Sequence, residues 1–420
     1  MIFVSKPRMA IAILAVSSFT GAQAGQRIAG YYAETDVSDV IEKDLIQKEF
    51  ETLMGEEDCD SLENGKEFYT NGDGKFLADL PTYTDKVSPH VATAQSYFQD
   101  QYFWDTWVTA ALNKEDTAFE RGNAKFTAFP NNIDDDGGCV GFEEGAKKFS
   151  NYVAGMVEIF QFTQAAIDLA AKGCSAQTDG CKDAISMWDN AVAYFVGSLE
   201  GEDGNQGTAE DGSYGKSVYT LADKRCDDYA KCGVDGKSTM KDVPSKANLV
   251  LINLFAQGAQ AIWSGDAMEA KKIATKIDQK MSVPFIQGTL RYTYRLGNGS
   301  TKDKEVAEGY TFAMGVLPKL WKCSAAAAEL VESELGIGQG TAGTKNVDFK
   351  AVEAAFQCNY NCMGVLCSEV GSLFDGDDSA RLKACKDPKK VCGREKKKFK
   401  KFCKIYRGKG GKTKFKPGFD

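Results

Sequence analysis

The sequence predicts an all-α protein of helical bundles, disulfide-bonded and with a loop-rich N-terminal part. Three observations predict it. From Ala146 onward, apolar residues recur at helical spacing; alternating β-branched runs are scarce; and the 13 cysteines include close pairs beside expected helix ends. The clearest element is WDNAVAYFVGSLEG, residues 188–201. Trp188, Ala191, Val192, Phe195, Val196 and Leu199 form one apolar face. The opposite stripe carries Asp189, Ala193, Gly197 and Glu200, two carboxylates separated by very small side chains. That face suits close approach of a second helix or a ligand.

Taken in order, residues 1–24 read as a secretory signal, with Lys6 and Arg8, a short apolar core and an Ala22-Gln23-Ala24 cleavage site. GYYAETDVSDVIEKDLIQKEFETLMGEE reads as one helix and PHVATAQSYFQDQYFWDTWVTAALNK as another. The turn-rich segment between them, ENGKEFYTNGDGKFLADLPTYTD, suits a short hairpin. FPNNIDDDGGCVGFEEG forms a second loop. Helices follow over 149–172, 181–200, 214–230, 244–263, 266–280, 283–296, 303–322, 323–335 and 347–373, broken by Gly-rich or polar loops. The division this implies is a signal (1–24), an N-terminal helical and loop region (25–145), a helical-bundle domain (146–375) and a basic, Cys-containing tail (376–420). AYFVGSL (193–199) matches TFAMGVL (311–317), which suggests a pair of related bundles.

A signal and many cysteines together imply export and disulfides. Cys174 with Cys181 and Cys226 with Cys232 are close pairs, and Cys358, Cys362 and Cys367 cluster on one segment. A thiolate metal site is the rival, but no pair has CxxC spacing and His90 is the only histidine. Charge is divided along the chain. Residues 381–420 hold 17 Lys and Arg against 3 Asp and Glu, whereas residues 25–380 hold 32 against 56. The acidic body attracts cations and repels nucleic acid. The tail is expected to stay unfolded, or to adhere to anionic wall polysaccharide.

YVAGMVEIFQF, WDNAVAYFVGSLEG, LADKRC, VPFIQGTLRYTYR and AEGYTFAMGVLPKLWKCS occur in that order over residues 152–371. In these motifs the chain resembles the low-iron-inducible periplasmic, or iron-assimilating, proteins of algae, also called high-CO2-inducible and grouped with the phytotransferrins. The resemblance implies a periplasmic or cell-surface protein that binds ferric iron, with carbonate as a co-ligand, and passes it to a membrane permease or reductase. A remote likeness to imelysin-like proteins also exists. Of their G-x-H-x-x-E helix only the acid survives, as Glu158; Gly155 stands in place of the histidine and Val153 in place of the glycine. That departure argues against an imelysin-like hydrolase.

Ferric iron is a hard cation held best by carboxylate, phenolate and carbonate oxygens, and the body is rich in Asp, Glu and Tyr. The candidate metal ligands are Glu158, Asp189, Glu200, Glu308 and Tyr310. Glu158 lies on an apolar helix and needs a partner, either a metal or Arg291 or Arg295. Asp189 and Glu200 are about 16 Å apart along a helix and cannot chelate one ion together. Gly288, Arg291, Tyr292 and Arg295 share one helix stripe, which makes Arg291, Tyr292 and Arg295 the anion-binding candidates. Internal salt bridges are the competing reading, and with them a structural or adhesive role without metal transport. Asn132, Asp134, Asp136, Gly137 and Glu143 match EF-hand loop positions, a calcium signature weakened by Pro130 and Cys139. His90 reads as a surface or capping residue. Asn298-Gly299-Ser300 is a glycosylation sequon beyond a helix end. The absence of a Walker loop, dinucleotide fingerprint, HExxH helix or nucleophile elbow argues against an enzyme.

Overall fold

The structure, a computed structural model, describes residues 25–55, 59–72, 86–128, 139–174, 180–204, 215–239, 243–336 and 347–373. It opens on a two-stranded antiparallel hairpin, β1 (Gln26–Ile28) and β2 (Tyr31–Ala33), with Ile28 opposite Tyr31. Only then does the chain turn helical, through α1 (Ser38–Ile41) and α2 (Lys43–Leu53). The single helix expected over residues 30–57 is thus corrected at its start. Ala29 and Gly30 both take positive φ, which makes the tight turn, and Tyr31 and Ala33 point into the core.

The part of 63–85 expected to hold a hairpin begins instead as helix, α3 (Cys59–Asn71). The remainder of that segment lies outside the described residues. Ser88 caps α4 (Pro89–Phe98) by accepting from the Val91 amide, with Pro89 in the first turn. Gln99 then takes the left-handed conformation and ends it. α5 (Phe103–Leu112) therefore starts afresh, and the helix expected over 89–114 is two.

α6 (Val140–Lys148) passes into a π-helical turn, Phe149–Ala154, and then into α7 (Gly155–Ala171). The boundary drawn at 145/146 falls inside α6. α8 (Gly180–Val196) packs along α7, and α9 (Val218–Cys226) follows. α10 (Lys246–Trp263) crosses α8 where Gly258 meets the Trp188 ring; a Cβ at Gly258 would collide with it. α11 (Ala267–Gly297) runs unbroken through Pro284 and joins the two helices expected over 266–280 and 283–296. α12 (Asp303–Cys323), α13 (Ala325–Leu335), α14 (Phe349–Gln357), α15 (Tyr360–Met363) and α16 (Cys367–Val370) complete the chain.

One hydrophobic core runs from Ile28 to Leu373, so the N-terminal hairpin and the helices bury their apolar faces together. Its aromatic centre is Trp107, stacked on Phe149 at 4.4 Å and flanked by Phe126 and Tyr310. Disulfides join Cys59 to Cys139, Cys174 to Cys181, Cys226 to Cys232 and Cys323 to Cys362. Cys358 and Cys367 are disulfide-bonded as well. The two matching segments play different parts: Gly197 (φ +81) ends α8, while Gly315 stays inside α12 against Phe285. The signal and the basic tail lie outside the described residues. Among the described residues, no helix is long and apolar enough to cross a membrane.

Candidate functional site

The five proposed metal ligands do not meet in one place. Asp189, fully buried on α8, accepts four hydrogen bonds: from the Tyr31 hydroxyl (2.7 Å), the Glu34 and Thr35 amides (both 2.9 Å) and the Thr35 hydroxyl (2.8 Å). It is an anchor for the N-terminal segment. Burial raises its carboxyl to about 6 against those four donors, so it is ionised at neutral pH. Its stripe meets a second helix at Gly197, where a Cβ would collide with Asp44 of α2. Asp44 accepts from Ser198 (2.8 Å) and from the Leu199 amide (2.9 Å).

Glu200, also fully buried, accepts from the Thr220 hydroxyl and lies in the field of Asp223. Asp223 Oδ1 accepts from the Ser245 amide (2.6 Å) and Asn248 Nδ2 (2.7 Å), while Oδ2 meets no donor. Burial, reinforced by Glu200, pushes the Asp223 carboxyl up to about 8, so at neutral pH Asp223 is protonated. The unfolded chain has the ordinary value of about 3.9. A raised carboxyl favours the folded state at low pH and loses that contribution as pH climbs from about 4 to 8. We therefore expect the wild-type melting temperature to fall over that range and Asp223→Asn to flatten the fall, measured by calorimetric scans at successive pH values.

Tyr310 is packed beside Trp107 and donates to the Asn123 carbonyl (2.6 Å). Glu158 is buried on α7. The arginines matched to it, Arg291 and Arg295, instead bind Asp228 (2.9 Å) and Glu305 (2.7 Å).

The fifth candidate, Glu308, does converge with the anion stripe. Tyr292, buried and stacked on Phe312, has three guanidinium groups about its ring: Arg291 at 5.0 Å, Arg295 at 5.9 Å and Arg225 at 6.0 Å. Arg225 and Arg291 share the carboxylate of Asp228. The buried Nε of Arg225 makes no hydrogen bond. Burial and the neighbouring Arg225 lower the Arg291 pKa. Glu308 faces both arginines, and burial raises its carboxyl.

Glu308 also reaches Lys148, and here the sequence reading missed the centre of the site. Lys148, at the last turn of α6, lies 3.3 Å from Glu144 and 3.9 Å from Glu308. Burial opposes its charge, but Glu144, Glu51, Glu308 and the Tyr152 phenol surround it and raise its pKa well above the ordinary lysine value. Burial likewise works against Glu51, yet Lys148 and Lys216 hold it at about 2. Lys216 touches Glu51 at 2.5 Å, and Lys304 lies 3.6 Å from Glu144. The π-helical turn turns Ser150, Asn151 and Tyr152 inward together. Ser150 donates to Gln47 (3.1 Å) and Asn151 to Glu51 (2.8 Å). Gln47, Ser150, Asn151 and Lys216 line a cleft.

Two carboxylates thus lie within 4 Å of one buried ammonium, with Glu51 and the Tyr152 phenol in its field and an arginine pair nearby. Among the described residues, no three acidic, histidine or cysteine side chains stand close enough to chelate an ion in this arrangement.

His90 is not a surface residue: its ring is buried on Phe160 and its Nδ1 lies 2.6 Å from Asp278. Glu143 is fully buried, accepting from Ser61 (2.9 Å) and pairing with Lys147 (3.3 Å). Its calcium-loop companions Asn132, Asp134 and Asp136 lie outside the described residues. Asn298 is exposed in the turn that ends α11. An exported preparation should carry a glycan there, seen as an electrophoretic shift that peptide-N-glycosidase or Asn298→Gln removes. No family model, curated protein or solved structure matches the chain.

Proposed function

We propose that this is an exported iron-assimilation protein that takes up ferric iron together with carbonate in the buried charge centre around Lys148. The observation behind this reading is the convergence of Glu51, Glu144, Glu308 and Tyr152 on one ammonium, next to Arg225 and Arg291. Carboxylate and phenolate oxygens are the donors a hard trivalent cation prefers. Such a cation would displace the Lys148 ammonium into the adjoining cleft. A planar oxyanion suits two adjacent guanidinium groups, one of which has a buried Nε without a hydrogen bond. The disulfides support an oxidising compartment. Delivery would pass to a membrane permease or reductase, with the basic tail available to anionic wall polysaccharide.

Compared with the ligand set read from sequence, Glu308, Arg291 and Tyr292 remain in this proposal, and Asp189, Glu200 and Tyr310 are assigned to holding the fold. Arg295 is neutralised by Glu305 and leaves the anion set. One observation favours a second reading: every charge in the centre already has an internal partner, as a structural or adhesive scaffold requires. Calorimetric titration with ferric iron, supplied as a weak chelate, separates the two. Binding that requires bicarbonate and is lost in Glu308→Gln supports assimilation. No binding with bicarbonate present leaves the scaffold.

A further inference from the structure

α4 is seated at its two ends by titratable groups that answer pH in opposite senses. In its first turn stands His90, the chain's only histidine, with its side chain 9 % exposed. The ring stacks on Phe160 of α7 at 4.4 Å, and Nδ1 lies 2.6 Å from Oδ1 of Asp278 on α11. The same oxygen takes the Lys319 ammonium of α12 at 2.6 Å. Lys319 is fixed there by two more hydrogen bonds, to the Asp278 carbonyl and the Ser282 hydroxyl (2.8 Å). In the last turn of α4 the Tyr97 hydroxyl donates to Glu332 of α13. Val91, Ala94, Tyr97 and Phe98 form the buried face of the helix.

The contact at His90 holds one anion for two groups able to carry positive charge. Burial works against the Asp278 charge, yet Lys319 and His90 keep that carboxyl ionised, well below the usual range. An ionised carboxylate only accepts, so Nδ1 donates to it and Nε2 is the place for a further proton. That proton would set an imidazolium and an ammonium against one carboxylate oxygen. α7 offers only the Phe160 ring there, and Asp278 and Lys319 are the charges that act on the imidazole. Burial and the Lys319 ammonium push the imidazole pKa down against the pull of Asp278. Once detached, the ring regains its ordinary value of about 6.5. The detached form therefore binds the proton more readily, and the seat weakens as pH falls through that value. Glu332 runs the other way. Burial raises its carboxyl to about 7, so acid neutralises it and keeps the far end of α4 in place.

We propose that His90 is an acid-operated latch: on taking up a proton it frees the first turns of α4 from α11 and α12, while Tyr97 and Glu332 hold the last turn. The latch is independent of the iron reading and uses none of its residues.

Hydrogen exchange of the full mature protein between about pH 7.5 and pH 5, corrected for the intrinsic rate of each amide, tests it. Protection at residues 91–94 should fall by up to about tenfold per pH unit below 6.5, the slope of one proton, while protection in α10 does not fall. Asp223 and Glu332 cannot produce that loss, because their raised carboxyls favour the folded state in acid. Glu51 and Asp278 titrate far below this range. His90→Gln keeps an amide donor for Asp278 but takes up no proton, and should make protection at 91–94 independent of pH. Should that variant not fold, the wild type still decides. Its single imidazole gives one C2–H resonance, whose titration midpoint is expected below about 6.5. A midpoint at or above that value, protection at 91–94 that follows α10 into acid, or acid-labile exchange retained in His90→Gln overturns the proposal.

Discussion

Lys148→Met should cost about 3–5 kcal/mol of stability at neutral pH, because it leaves buried carboxylates without their shared counter-charge. Urea unfolding checks the magnitude. Glu144 and Glu308 lose their nearest cation, and Glu51 loses one of two. The deficit should narrow with acid. Without Lys148 the folded-state carboxyls rise above their unfolded values. Their protonation then restores stability as pH falls through those raised values. Under the iron reading, the same variant should gain stability from a bound trivalent cation, whereas the wild type must first expel the ammonium. An equal deficit from pH 7 to pH 4 would mean that the centre is not desolvated as described.

Asp189→Ala should be comparably damaging, at about 3–5 kcal/mol, by a different route. It strands the Tyr31 hydroxyl, the Thr35 hydroxyl and two backbone amides, all of which donate to this carboxylate. The loss should be local first. Hydrogen exchange at residues 26–41 should accelerate before that of α10 and α11, because the hairpin and α1 are tied to α8 through this side chain. Uniform acceleration over the whole core would contradict the anchoring role. Asp189→Asn should be milder, since its oxygen still accepts part of the set.

Much of the helical framework was legible because its signals are local. Ser245 and Ser324 cap α10 and α13, Gly336 ends α13 in the left-handed region, and the apolar face is buried from Trp188 to Val196, with Leu199 beyond the helix end only half-buried. The close cysteine pairs also form. What failed depended on neighbours. Residues 266–280 and 283–296 read as two helices, yet α11 runs through both. Tyr31 and Ala33 pair with β1 because the turn at Ala29 and Gly30 allows it, against the helical pattern that follows.

The site was legible only in part. Gly288, Arg291, Tyr292 and Arg295 do share a face, and Gly288 lets Phe312 come in under Tyr292. Which arginine stays available was beyond the stripe itself, since Glu305 and Asp228 come from other elements. Lys148 sits at the end of α6, where a lysine usually meets solvent and the helix dipole. Only the π-helical turn after it and the approach of α2 and α12 bury it. Arg225, in the LADKRC run, likewise gained meaning only once α9 lay against α11. His90 was misplaced for the same reason: its partner Asp278 is 188 residues away in sequence.

Diffraction at the iron absorption edge from crystals loaded with ferric iron and bicarbonate tests the central claim most directly. The account predicts one strong anomalous peak enclosed by Glu51, Glu144, Glu308 and Tyr152, with Lys148 withdrawn and an oxyanion on Arg225 and Arg291. A peak at any other position, or none, with Lys148 still seated among its carboxylates, would contradict it.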